Sequence, residues 1–187
     1  MSGFEERLRS VPPKSIVIVE ASPEKDQMKL ISDFLKLKQD DNGIFVSSNR
    51  PTSDLVEKLA TYHVDLKKSL ETGKTCVIDL VSRSVGAGEV CGCIYAASPS
   101  ELSAAQMAIE KAFENERDKA SRMWLLLDSL ATLLVFNSAG ALLHFLHFLI
   151  GRLRVLQSDG IFFTVEGSLD ERTLSTIKQF CDMVIRV

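Results

Sequence analysis

The chain has 187 residues, 45% of them hydrophobic, and a formal net charge of −3. That size suits one α/β domain with a full core, about 70% of the unfolded surface being buried at this length. The acidic balance, with no basic run longer than Lys67-Lys68, argues against a nucleic-acid binder. The start, "MSGFEERLRS", is charged and lacks an apolar signal core, so a cytoplasmic protein is expected.

The spacing predicts a regular alternation of strands and helices. Ile16–Val19 is a β-branched run, a buried strand, and Met28, Ile31, Phe34 and Leu35 then fall at helical spacing. Asn42-Gly43 reads as a turn ahead of a strand at Ile44–Val46. "SDLVEKLATY" is a short helix with Leu55, Val56, Leu59 and Ala60 inward, and Thr75–Val81 is the next strand. "VGAGEVCG" is a flexible loop and "CIYAAS" a strand. "SPSELSAAQMAIEKAFENE" carries a capping box, with Ser98 as N-cap, Pro99 first in the helix and Glu101 three residues after the cap. Its inner face is Leu102, Ala105, Ala108, Ile109, Ala112 and Phe113. "RMWLLLDS" is a strand ending in a carboxylate, and "AGALLHFLHFLIGRLRVLQSDG" is a long helix stopped near Gly160. "GIFFTVEGS", "DERTLSTIKQFC" and "DMVIRV" close the chain as strand, helix and strand. The expected fold is α/β, one domain over 1–187: a three-layer sandwich with a mostly parallel central sheet and helices on both faces. Residues 1–13 form a flexible or peripheral start.

Met123–Ile150 is apolar enough to suggest a membrane span, but Asp128, Asn137, Ser138 and Gly140 interrupt it. A central Asp alone costs about 2.5–3.5 kcal/mol on insertion. A buried strand, a loop and a buried helix are expected instead. Within that helix Leu142, Leu143, Phe145, Leu146, Phe148, Leu149 and Ile150 go almost all round, so it is either sandwiched or partly given to a partner, burial being the preferred reading.

The motifs that resemble ligand sites fail on context. "ETGKT" ends like a phosphate loop, but the earlier glycine position is Lys68 and a strand follows where a helix is needed, so Gly73 is a turn residue. "GAGEVC" begins like a dinucleotide fingerprint, but its third glycine is Cys91. Cys76, Cys91, Cys93 and Cys181 lack metal-knuckle spacing, and Cys76 and Cys181 sit in apolar runs. His144 and His147 have no accompanying carboxylate or cysteine on their segment, so no metal is expected there.

"MWLLLDSLATLL" and "GIFFTVEGSLDERTLSTIKQFCDMVIRV", taken with the order of the elements, resemble the KaiC-like branch of the RecA-superfamily ATPases, a family common in archaea. The family carries a hydrophobic strand ending in Asp-Ser, matched by Asp128-Ser129, and a closing strand like "CDMVIRV". The resemblance spans Ile16 to Val187 and implies a RecA-like fold. It also allows the family's chemistry to be checked by position. Glu20 falls at the first glycine of the phosphate loop, Lys25 at the second, Asp26 at the lysine and Gln27 at the Ser/Thr. Glycines let a backbone wrap a phosphate, and Asp26 and Glu20 would repel one. After the second strand, Asn49 and Arg50 stand where the family has a Glu-Glu pair, and neither serves as a general base. Of the ATPase set only Asp128 remains.

The resemblance therefore implies a non-catalytic member with no cofactor. It would act through a protein partner or by self-association, as a regulator, adaptor or structural subunit, since the family is associated with signalling and assembles side by side. No nucleic acid and no membrane partner is expected. The alternative is a ligand-binding protein or enzyme with a different site at the carboxyl edge of the sheet, lined by Asp79, Arg83, Asp128, Ser129, Glu166 and Ser168.

Overall fold

The computed structural model describes residues 3–116 and 122–187, with only the backbone of residue 116 described. Seven strands form one sheet: β1 (Ile16–Ala21), β2 (Asn42–Ser47), β3 (Thr75–Asp79), β4 (Cys93–Tyr95), β5 (Met123–Leu127), β6 (Asp159–Val165) and β7 (Met183–Arg186). Their order is β4-β3-β2-β5-β6-β1-β7 and every pairing is parallel. The chain leaves β1, builds outward through β2, β3 and β4, then returns to fill the gap with β5 and β6.

Each central strand is buried on both faces, which is why it reads as an unbroken apolar run. Alternate residues still serve different layers. Ile16, Ile18, Ile44, Leu125 and Phe162 meet α6 (Leu102–Glu116), α7 (Leu130–Phe136), α8 (Ala139–Val155) and α9 (Glu171–Phe180). Val17, Val19, Phe45, Trp124 and Phe163 meet α1 (Gly3–Arg9), α2 (Gln27–Leu37), α3 (Thr52–Thr61) and α4 (Leu66–Glu71). A single turn of helix, α5 (Ser82–Val85), follows β3. The N-terminal stretch lies at the periphery as helix α1, whose Phe4 is buried against the α2 layer.

Several local readings change. Asn42-Gly43 is not a turn; both residues lie inside β2. A Cβ on Gly43 would come within 1.9 Å of the Trp124 ring in the adjacent strand, so glycine is there for packing. Gly160 likewise lies inside β6, where a Cβ would meet Leu153 and Ile16 at 2.8 and 2.9 Å. Helix α8 ends at Val155, and the left-handed residue that turns the chain is Gln157. Ser98 does not cap α6: the helix starts at Leu102, and the Ser98 hydroxyl pairs with Ser100. β4 is shorter than expected, and α4 and α7 stand where no helix was anticipated. Gly73, with a positive φ, is the turn residue expected.

Helix α8 is sandwiched. Leu142, Phe145, Leu146, Leu149, Ile150 and Leu153 are buried, and Arg152 clamps Glu110 of α6 through two bonds of 2.7 and 2.8 Å. Phe148 is half-buried, and His147 lies edge-on to Phe180 of α9. The large apolar side chains at the surface are Val155 (72% exposed) at the last position of α8 and others elsewhere, including Val135 (80%) and Phe136 (52%) at the end of α7.

Candidate functional site

In an open parallel sheet, ligands collect where successive loops leave toward opposite faces. β2 leads to α3 on one face, while its neighbour β5 leads to α7 on the other. Asp128 and the segment Ser47–Arg50 meet at this crevice, and the structure closes it. The Ser48 amide donates to Asp128 Oδ1 at 2.7 Å, and the Ser48 and Ser47 hydroxyls lie 3.2 Å from Oδ1 and Oδ2. Gln27 Nε2 donates to the Asp128 carbonyl at 3.0 Å from the start of α2. Ser129 is turned away as the cap of α7, its hydroxyl accepting from Thr132 N. The space left, bounded by Asp26, Gln27, Asn49, Arg50 and Asp128, is about 70 Å³. That is room for about two waters, against the 300–1,000 Å³ typical of ligand pockets.

Asp128 is 2% exposed. Burial, opposed by the Ser48 and Asn49 amides and the two hydroxyls, pushes its carboxyl up to about 6.

The start of α2 faces the same crevice. Five residues, Ser22 to Asp26, join β1 to α2, tightened by Lys25 N donating to Ser22 O at 2.9 Å. Asp26 is the N-cap: Oδ1 accepts from Met28 N (3.0 Å) and Lys29 N (3.3 Å), and Oδ2 accepts from the Tyr62 hydroxyl of the α3 layer. A carboxylate of the chain itself thus meets the first-turn amides and the positive end of the helix. The Tyr62 bond, against a burial effect and aided by the two amides and Arg50, holds Asp26 below its ordinary range. Pro23 removes one further backbone donor from the loop.

The other expected residues disperse. Glu20 points to the opposite face, paired with Lys178 (3.1 Å) and Arg186 (3.0 Å). Lys25 borders a second cleft, of about 360 Å³, which Asp26 also lines, with Phe4, Arg7, Lys29 and Arg186. Arg50 binds Asp54 at 2.6 Å, and Asn49 is exposed. Asp79 is fully buried and consumed by structure: Oδ1 accepts from Val81 N and Ser82 N (both 2.8 Å), and Oδ2 from Thr52 N (2.7 Å) and the Thr52 and Ser82 hydroxyls (both 2.6 Å). Burial raises its pKa, but the Ser82, Thr52 and Val81 bonds outweigh that and hold it below the usual range. Arg83 stacks over Tyr95 and approaches Glu89, while Glu166 and Ser168 are exposed. Of the expected residues, Asp26, Gln27, Asn49, Arg50 and Asp128 come together at the cleft beside the start of α2. Ser47, Ser48, Thr52 and Tyr62, which build it, were not singled out from sequence. The polar run after an apolar strand, "SSNRPT", was the available signal.

No two cysteines are joined among the described residues, and no His/Cys/Asp/Glu group there could hold a metal. Burial pushes the Cys93 thiol up and that of Cys181 to about 12, the latter also beside Asp182. No described helix is long and apolar enough to cross a membrane.

The sheet order and its helical layers define an α/β protein with a KaiC-like, RecA-type fold. KaiC-like protein PH0186 of the archaeon Pyrococcus horikoshii superposes with a TM-score of 0.73 at 15% identity, covering 100% of this chain and 77% of that one. The uncharacterized protein PH0321 of the same organism, solved with an unknown peptide, gives 0.75 at 18%, covering 98% and 81%. In sequence, no curated protein matches. The chain belongs to DUF7504, a family of unknown function, matched over residues 13–187.

Proposed function

We propose that the chain is a non-catalytic RecA-fold protein that neither binds nor hydrolyses ATP and works through protein contacts as a regulatory, adaptor or structural subunit. The observation that carries this reading is Asp26. Its carboxylate takes the helix N-terminus where this class of site holds phosphate, and Tyr62 fixes it there. A phosphate arriving at that point meets a negative charge and amides already bonded. The approximately 70 Å³ space between it and Asp128 is far too small for a nucleotide.

With α8 buried in the fold, the contact surface moves to the end of α7. Val135 and Phe136 stand exposed there, and a specific interface built around them would bury about 1,200–2,000 Å² in total. That one neighbour of the same fold was solved with an unknown peptide supports a role in protein or peptide contact. Sedimentation equilibrium tests the reading. The expected result is a mass above that of a single chain, or a stable complex with a partner from native extract, reduced in Phe136→Asp. A monomer at high micromolar concentration that recovers no partner would overturn it and favour ligand binding near Asp128.

A further inference from the structure

The hydrogen bonds around Asp128 do not all close if the group is a carboxylate. Ser47 has one hydroxyl proton and two oxygen neighbours: the Arg50 carbonyl at 2.7 Å and Asp128 Oδ2 at 3.2 Å. The shorter contact takes the proton, as a hydroxyl donates once. That leaves Ser47 Oγ facing Oδ2 with a lone pair, which is favourable only if Oδ2 carries a hydrogen. Oδ1 is the natural acceptor, receiving the Ser48 amide at 2.7 Å. The arrangement is a directed chain, Asp128 Oδ2–H to Ser47 Oγ–H to the Arg50 carbonyl.

We propose that Asp128 is a proton-operated latch on the segment between β2 and α3. Neutral, it donates to Ser47 and so keeps the Ser47 proton on the Arg50 carbonyl. When its proton leaves to solvent through the small cleft, Ser47 must turn its own proton to the new carboxylate. The Arg50 carbonyl then loses that bond, and Ser48 to Arg50 shift. No other atoms are exchanged.

The groups facing the latch leave the titration to Asp128. From α2, Asp26 borders the cleft but is held ionised below its ordinary range by Tyr62 and the helix amides. From the β2 segment, Arg50 borders it and is engaged by Asp54. Asp79, on β3, grips Thr52 from behind and is likewise held low. The first turn of α7 offers only Ser129, Leu130, Ala131 and Thr132, none of them charged. Glu20 lies on the other face of the sheet with its two cations. The carboxyl that burial raises to about 6 is therefore the one placed to move the segment near neutral pH.

Carbon-detected NMR of the wild-type chain between pH 4.5 and 8 tests this. The Asp128 carboxyl carbon is expected to titrate near pH 6, with the Ser48, Asn49 and Arg50 amides following the same midpoint. In Asp128→Asn, whose amide donates to Ser47 and whose oxygen accepts from Ser48, those amides are expected at their wild-type low-pH positions, independent of pH. An Asp128 carbon that stays ionised throughout would overturn the proposal. So would loop amides that ignore it, or a loop titration that survives in Asp128→Asn. If the variant does not fold, the wild-type carbon and amide midpoints decide alone.

Discussion

Replacing Asp79 by Asn changes one atom's chemistry and no volume, yet it is expected to cost about 3–5 kcal/mol. The carboxylate accepts five bonds, three of them from backbone amides that cannot turn round: Val81, Ser82 and Thr52. If the Asn oxygen stays at Oδ2, its NH₂ faces the Val81 and Ser82 amides and two charge-assisted bonds are lost. If it flips, the NH₂ faces Thr52 N, and the Thr52 and Ser82 hydroxyls must reverse. A bond to a charged group is worth about 1.5–3 kcal/mol, and orphaning its buried partner adds desolvation. That loss is a large share of the 5–15 kcal/mol typical of a domain. Urea unfolding followed by the fluorescence of Trp124, the chain's only tryptophan, measures it. A change under about 1 kcal/mol would show that Asp79 does not hold β3 to the starts of α3 and α5, and the reasoning would fail.

The other buried carboxylate should respond oppositely to pH. The folded pKa of Asp128 is raised, so its stabilising contribution is full below about pH 4 and lost as pH rises through about 6; the difference is about 3 kcal/mol, read as the gap between wild type and Asp128→Asn in urea melts at several pH values. Asp79, with a lowered pKa, contributes above its unfolded value and loses that contribution as pH falls below it, so acid weakens the Thr52 and Ser82 contacts. Gly43→Ala should destabilise by at least about 3 kcal/mol or prevent folding, because the Trp124 ring occupies the Cβ position; a normal melt would show that the ring can move aside. Phe145→Asp should unfold the chain, since Phe145 is 3% exposed, whereas Phe136→Asp should leave the circular dichroism spectrum that of a folded chain.

The layers were legible because they rest on long apolar runs whose meaning does not depend on partners. β1, β5 and β6 announce themselves by burial on both faces, and the inner face of α6 follows from its period. What was not legible depends on contacts across the chain. Gly43 and Gly160 read as turn and stop signals because a sequence does not show Trp124 or Leu153 lying against them. Helix α7 was hidden by its continuity with an apolar strand, and the buried stripe of α8 is wide because α6, α7, α9 and β6 all pack against it. At the site, the charge of Asp26 and its place at a helix start could be read, but not Tyr62, which comes from 36 residues away to hold it. Glu20 was read as a charge in the loop because its direction depends on strand parity and on Lys178 and Arg186.

The central claim is that Asp26 closes the phosphate position at the start of α2, and thermal unfolding with and without millimolar ATP and magnesium tests it most directly. A nucleotide present at 100 times its dissociation constant stabilises by about 2.7 kcal/mol, a rise of roughly 5–10 °C for a chain of this size. The account predicts no shift. A saturable rise of that size, lost in Asp128→Ala, would contradict it and make the chain a nucleotide-binding protein.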